Sequence, residues 1–284
     1  MVVVAVIALR PKIVHVQHPI HPRLDPWLLR ILTRLVPVVW TAHDILPHDP
    51  SRNAVERARR LYNLPQRVLV HSVPAAQAME HIAGVSPQVI RHPVRQLNFV
   101  PDRESARRKL GVDPHRRLAV AVGFIRAYKG YGLIADTWDV LGHNAPDLLI
   151  LGELVDESER EVICRLQAHP RVDVRLGYAS DEEVIAAIAA ADIVLLPHKS
   201  GSDSGSLHMA RAVATPVLSS DMAQLADSVS ATGAGRVLPR DPAQWAEVLT
   251  GDLPTCSSKP PPPAAVGEEH LSAYRTALRL WHAG

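Results

Sequence analysis

Short runs of apolar and β-branched residues alternate along the chain with longer stretches of helical periodicity, and that alternation admits few folds. Strands joined through helices lie parallel, and a parallel sheet needs cover on both faces. The first strand candidates are Ile13–Gln17, Val38–Ala42, Arg67–His71 and Gln88–Arg91. Helices are expected between them at Pro26–Leu35, Ser51–Leu61 and Pro74–Ala83, with Ser72 placed to cap the third. Pro93–Pro101 lacks periodicity and reads as a linker. A second set of strands follows at Leu118–Val122, Leu148–Leu151, Val172–Leu176, Ile193–Leu196, Val217–Ser219 and Gly235–Val237. Helices fit Gly130–Leu141, Ser158–Ala168, Asp181–Ala190, Ser206–Ala214 and Pro242–Thr250.

The expected class is α/β with two doubly wound Rossmann-like domains, the first of them incomplete. Its boundaries are 1–97 and 98–254, then a Pro-rich connector over 255–267 and a final helix over 268–284. The connector, Thr255–Val266, is expected to be extended. In the last helix, Leu271, Tyr274, Leu278 and Trp281 share one face and are expected to point at a core.

Composition narrows the function. Among 284 residues, 31 Lys+Arg against 29 Asp+Glu give a net charge of +2, which argues against a general nucleic-acid binder. Aromatic residues are 4%, too few for a base-stacking platform. Cys164 and Cys256 cannot build a disulfide framework or a zinc site alone. The apolar run from Val2 to Leu9 falls far short of the about 20 residues that span a bilayer. A cytoplasmic protein is expected.

Three segments carry candidate chemistry. In AVAVGFIRAYKG (119–130) a buried strand ends at Gly123, and Arg126 and Lys129 follow in a short loop before a helix. Open α/β sheets bind ligands at the carboxyl ends of their strands. Two cations near a helix N-terminus suit a diphosphate, although an exposed basic turn has the same composition. No Gly-x-Gly-x-x-Gly or Walker sequence is present. In PHKSGSDSGSLHMARAVATP (197–216) a strand leads into a loop of small and hydroxyl residues, Ser204, Gly205 and Ser206 among them. A helix then begins there, which also makes an anion site, unless Ser204 or Ser206 simply caps that helix. In VVWTAHDILP (38–47), His43 and Asp44 follow a buried strand, where a histidine can meet a sugar hydroxyl or a leaving phosphate. His15, His18 and His21 alternate without a well-spaced carboxylate, so no metal is expected. Arg52, Arg57, Arg59 and Arg60 crowd one helix, as a solvated basic face does or a face for an anionic surface.

Taken in order, these segments resemble the retaining, metal-independent glycosyltransferases of family 4, which have the two-domain GT-B fold. PKIVHVQHP, VVWTAHDILP and RVLVHSVPAAQAMEHIAGVSPQVIRHPV are similar to elements of that family's acceptor-side domain. VGFIRAYKGYGLI resembles its donor-phosphate motif, and the stretch from VRLGYASDEE to VLSSD resembles its nucleotide-sugar pocket. The resemblance implies that a hexose moves with retention from a nucleoside diphosphate sugar to a glycan, glycolipid or small molecule, as in polysaccharide biosynthesis. It implies that Arg126 and Lys129 hold the diphosphate, with Gly123, Ser204, Gly205, Ser206 and Leu207 around the donor. It implies His43 near the reacting sugar, with His18 and Asp44 on the acceptor side. No cofactor or metal is implied; the crowded arginines, not the resemblance, leave open a peripheral contact with the inner membrane face.

Two departures are visible. Many members carry two glutamates separated by seven residues, and Gly201 and Met209 stand at those positions here; Asp203 or Glu153 is the available substitute. Members also begin with a strand and a glycine-rich loop, whereas Val2–Pro11 reads as a helix tail leading into what resembles a later strand. The expectation is that the chain is truncated, or that its start lies upstream of Met1. These departures feed two other readings: a non-catalytic sugar-nucleotide-binding protein without a complete acceptor domain, and a sugar-nucleotide epimerase on the same fold.

Overall fold

The computed structural model describes residues 2–18, 24–46, 53–94, 97, 99–201, 204–257 and 261–283. It divides into two units, the first comprising Met1–Pro93 and Pro261–Gly284, the second Val94–Pro260.

The first unit runs α1 (Val2–Leu9), β1 (Val14–Val16), α2 (Asp25–Leu35), β2 (Val38–Thr41), α3 (Ala54–Tyr62), β3 (Arg67–Val70), α4 (Val73–Ala83) and β4 (Gln88–Val89). Its described strands form one parallel sheet in the order β1-β2-β3-β4. With right-handed crossovers, a sequential order sends every connecting helix to the same face. The side chains bear this out by alternation. Val38, Trp40, Val68 and Val70 pack with Leu29, Leu32, Ala58, Tyr62, Ala75 and Met79 of the three helices. Val39, Leu69 and Ile90 point the other way. Ser72 caps α4 as expected, its hydroxyl accepting from Ala75 N (3.2 Å).

The second unit runs α5 (Arg103–Leu110), β5 (Leu118–Val122), α6 (Tyr131–Leu141), β6 (Asp147–Gly152), α7 (Arg160–Gln167), β7 (Val172–Leu176), α8 (Asp181–Ala190), β8 (Ile193–Leu196), α9 (Gly205–Val213), β9 (Val217–Ser220), α10 (Ala223–Thr232), β10 (Gly235–Leu238) and α11 (Pro242–Thr250). Its six described strands are parallel in the order β10-β9-β8-β5-β6-β7. The order reverses between β5 and β8, and helices cover both faces. On one face α6, α7 and α11 bring Ile134, Trp138, Ile163, Leu166, Trp245 and Leu249 onto the sheet. On the other, α5, α8, α9 and α10 bring Ala106, Ala187, Ile188, Leu207, Ala210, Leu225 and Val229.

Several expectations need correction. After the linker comes a helix that was not expected, α5, whose N-cap Asp102 accepts from Ser105 N (2.8 Å) and whose end is the left-handed Gly111. The helix α10 was also not expected. The fourth strand is shorter than expected, ending at Val89. The connector's last residues are not extended: α12 (Pro263–Ala283) begins there, because proline suits a first helical turn that has no N–H partner to lose. Its fully buried residues are Val266, Ala273 and Ala277; of the expected stripe Tyr274 packs on the same cluster and Leu278 and Trp281 are half-buried, but Leu271 is 50% exposed. Ala273 and Ala277 are the residues that meet Val39, Leu69 and Ile90. Small side chains let α12 lie close to the sheet and cover the face that α2, α3 and α4 leave open.

Candidate functional site

In an open α/β sheet the ligand crevice lies where the strand order reverses, outside the carboxyl ends of the two flanking strands. In the second unit those strands are β5 and β8, and the loops that leave them are the two phosphate-suited segments of the sequence. They are laced together. Lys199 N donates to Tyr128 O (2.7 Å), and the Tyr128 ring stacks on that of His198 at 5.9 Å. The β5 loop is also pinned to the segment after β6, with Ile125 N donating to Glu153 O (2.7 Å) and Ala127 N to the Asp156 carboxylate (2.9 Å).

Around the end of β5 the side chains converge. Lys129 Nζ (3.3 Å) and Ser206 Oγ (3.0 Å) both donate to Val122 O. Gly123 lies between them at φ +93°, and a Cβ there would come 3.0 Å from Lys129 Nζ. Glycine is needed for the backbone angle and for the space. Burial, with Arg126 as the nearby like charge, brings the Lys129 ammonium down to about 8. Arg126 sits 5.9 Å from the Phe124 ring centroid, a cation–π distance.

The α9 start behaves differently from simple capping. Ser204 is the N-cap residue but makes no side-chain cap bond, and Ser206 spends its hydroxyl on Val122 O. The first-turn N–H groups of α9 therefore face the crevice without a side-chain cap. Leu207 is wholly buried in the core, so only its backbone belongs to the site. Met209, at one glutamate position of the resemblance, packs against the same core, and Gly201, at the other, has φ +119°. Glu153 is exposed after β6, and Asp203 lies outside the described residues, as do His21 and Arg52.

In the first unit, the residues that follow the strands also gather. His43, two residues past β2, donates from Nε2 to Gln17 Oε1 (3.2 Å) and stacks on His18 at 4.8 Å. Asp44 is exposed, and its carbonyl accepts from Tyr62 OH (3.0 Å). Beside them opens a cavity of about 330 Å³ lined by Gln17, His18, Trp40, His43, Arg57 and Tyr62 among others. Of the basic helix face, Arg59 donates to Ile82 O and Arg60 pairs with Glu56, so Arg57 is the member that lines the cavity. His15 bonds Thr41 Oγ1 (2.7 Å) and Tyr274 OH (2.8 Å), and burial is the main cause that lowers it to about 4.

Sequence reasoning missed Gln17, Tyr128, Asp156, His198 and the histidines after β3 and β4. His71 and His92 come within ring-stacking distance of each other (4.5 Å), with His71 5.2 Å from His43. The signal was available: the strand-end rule that singled out His43 applies equally to the residues after each parallel neighbour. Among the described residues no helix is long and apolar enough to cross a membrane.

Residues 116–251, within the second unit, match the family Glycosyl transferases group 1. The chain is 28% identical over 250 residues to a D-inositol 3-phosphate glycosyltransferase of Corynebacterium efficiens, covering 78% of this chain and 58% of that protein. It is 29% identical over 268 residues to a GDP-mannose:glycolipid 4-beta-D-mannosyltransferase of Xanthomonas campestris, covering 88% of this chain and 72% of that one. The chain thus spans little more than half of the first relative's length. In structure it is similar to a sucrose-phosphate synthase of Thermosynechococcus elongatus, with a TM-score of 0.73 and 15% identity over 99% of this chain and 71% of that one. The two parallel-sheet units are those of the GT-B fold, and the second of them is similar to the group 1 glycosyl transferase domain.

Proposed function

We propose that the protein transfers a hexose from a nucleoside diphosphate sugar to a glycan, glycolipid or small-molecule acceptor, with retention and without a metal ion. One observation carries the donor half. At the reversal point of the second sheet, Lys129 and Ser206 converge on the end of β5, with Arg126 and the α9 start beside them. This arrangement offers a diphosphate two positive side chains and a helix N-terminus. The leaving nucleotide diphosphate gains charge as the glycosidic bond breaks, and preorganised cations stabilise that charge more than the ground state. Both named relatives are glycosyltransferases, and one is named for GDP-mannose and a glycolipid acceptor. The acceptor occupies the cavity of the first unit, with His43 bonding a hydroxyl of the reacting sugar and His18 and Asp44 at its rim.

Thermal stability of the full chain against a panel of nucleoside diphosphate sugars tests the donor claim. A donor at about 100 times its Kd adds roughly 2.7 kcal/mol. In a unit of this size that raises the midpoint by about 5–10 °C. Arg126→Ala abolishes the shift, and His43→Ala keeps it while losing transfer. Because the diphosphate binds the ammonium form of Lys129, affinity weakens as pH rises above about 8. A panel in which no donor moves the midpoint sinks the proposal.

A further inference from the structure

We propose that His43, His71 and His92 form a binding site for a divalent transition metal ion of the zinc and cobalt class, wholly within the first unit. One ring nitrogen from each of the three lies within 4.8 Å of the others. Three imidazoles bound to a tetrahedral zinc at about 2.0–2.1 Å stand roughly 3.3 Å apart. Closing the observed triangle to that size moves each nitrogen by less than about 1 Å, which side-chain rotation supplies.

A second observation points the same way. A metal-bound histidine typically directs its other ring nitrogen to an oxygen acceptor, which fixes the tautomer and the ring plane. Each of the three rings has one nitrogen hydrogen-bonded to an oxygen acceptor. His43 Nε2 donates to Gln17 Oε1 (3.2 Å), His71 Nδ1 to Ile90 O (3.3 Å) and His92 Nδ1 to Pro93 O (2.8 Å). Two of the three acceptors are backbone carbonyls, so the orientation is built into the chain path after β4. The rings are only partly buried, which leaves a route for the ion and room for water as a fourth ligand. Neutral imidazoles suit zinc, copper, cobalt or nickel and not magnesium or calcium, which take oxygen ligands. The site is separate from the diphosphate cations of the second unit; it shares His43 with the proposed acceptor contact, and a bound ion takes that ring away from the sugar hydroxyl.

The test uses the full chain, freed of metal by dialysis against a chelator and titrated with Zn²⁺ or Co²⁺. The expected result is one Zn²⁺ retained per chain after gel filtration, and visible absorption from a four- or five-coordinate cobalt. His71→Asn and His92→Asn each lower affinity at least tenfold. Gln17→Ala lowers it by on the order of 10–100-fold, as loss of an orienting partner does. Circular dichroism checks that each variant is folded, and His143→Asn, an exposed histidine of the second unit, leaves binding unchanged. Absence of stoichiometric uptake overturns the site, and so does uptake that His143→Asn weakens as much as His92→Asn.

Discussion

The two sheets of this chain solve the problem of covering a parallel sheet in different ways. In the second unit the strand order reverses, so crossover helices fall on both faces, and each face has its own large apolar cluster. In the first the order is sequential, the crossovers share one face, and the other face is closed by α12 from the far end of the chain. The reversal also places the loops after β5 and β8 on either side of a crevice at the strand ends. A sequential sheet has no such gap. Its strand-end side chains stand close together instead, which is why histidines cluster there. Local winding thus decides which unit offers an anion crevice and which a crowded polar edge.

The comparison is sharpest if each unit is broken separately, and the largest expected effect is in the second. Arg107 is 2% exposed on α5. It donates to the carbonyls of Asp113, Pro114, Arg116 and Ala190 and pairs with Asp192 at 2.8 Å. Asp192 in turn accepts from Leu118 N at the start of β5. Removing one partner of a buried pair costs about 3–5 kcal/mol, because the other charge and the carbonyls are left unsatisfied. Arg107→Ala is therefore expected to raise amide exchange across β5 and α8 in hydrogen–deuterium exchange, with α2 to α4 unaffected. Equal acceleration in both units would show that they share one cooperative core.

A smaller effect is expected in the first unit. Ala277 and Ala273 hold α12 against Val39, Leu69 and Ile90 with no room for a larger side chain. Ala277→Leu forces extra methylenes into that contact, a change that costs about 1–3 kcal/mol. The expected readout is faster exchange in β2, β3 and α12, with the donor-induced midpoint shift of the second unit retained. If the substitution left exchange in β2 unchanged, α12 would not be what closes that face.

How much of this was legible in the sequence follows from the same contrast. Strands buried on both faces are continuous apolar runs, so Leu118–Val122 and Ile193–Leu196 were readable to the residue. Helices were readable where an apolar stripe recurs. It does not recur in α5, where Ala106 and Arg107 are the buried residues, or in α10, held by Leu225 and Val229. Only caps announced them: Asp102 and Gly111 for α5, Gly233 for α10. In α12 the large residues misled, because the close approach to the sheet selects alanine for the inner face and leaves Leu271 outside. Arg126, Lys129 and Ser206 were legible because they lie on two loops that composition marks. His71 and His92 were legible only through the strand-end rule, since each is ordinary in its own segment and the sheet is what brings them to His43.

The smallest expected effect separates the units by pH. His15 lies on β1 between Thr41 and Tyr274, and its pKa is lowered from the usual 6.5 to about 4, by burial first and then by His270 and His43. A histidine with a lowered folded pKa binds fewer protons folded than unfolded. Between about 6.5 and 4 the unfolded chain therefore takes up the proton first, and folding stability falls as pH falls through that window. Above 6.5 the group is neutral in both states and contributes no slope. The second unit's shifted group works in the opposite range: Lys129, lowered to about 8, makes stability rise with pH between 8 and the ordinary lysine value. Exchange measured in the presence of a chelator is expected to show β1, β2 and α12 loosening as pH drops from 7 to 5, with β5 and β8 holding. His15→Gln, which keeps a neutral hydrogen-bonding group there, flattens the slope in the first unit. If the slope survived that substitution unchanged, the acid sensitivity would belong to the strand-end histidines and not to the strand itself.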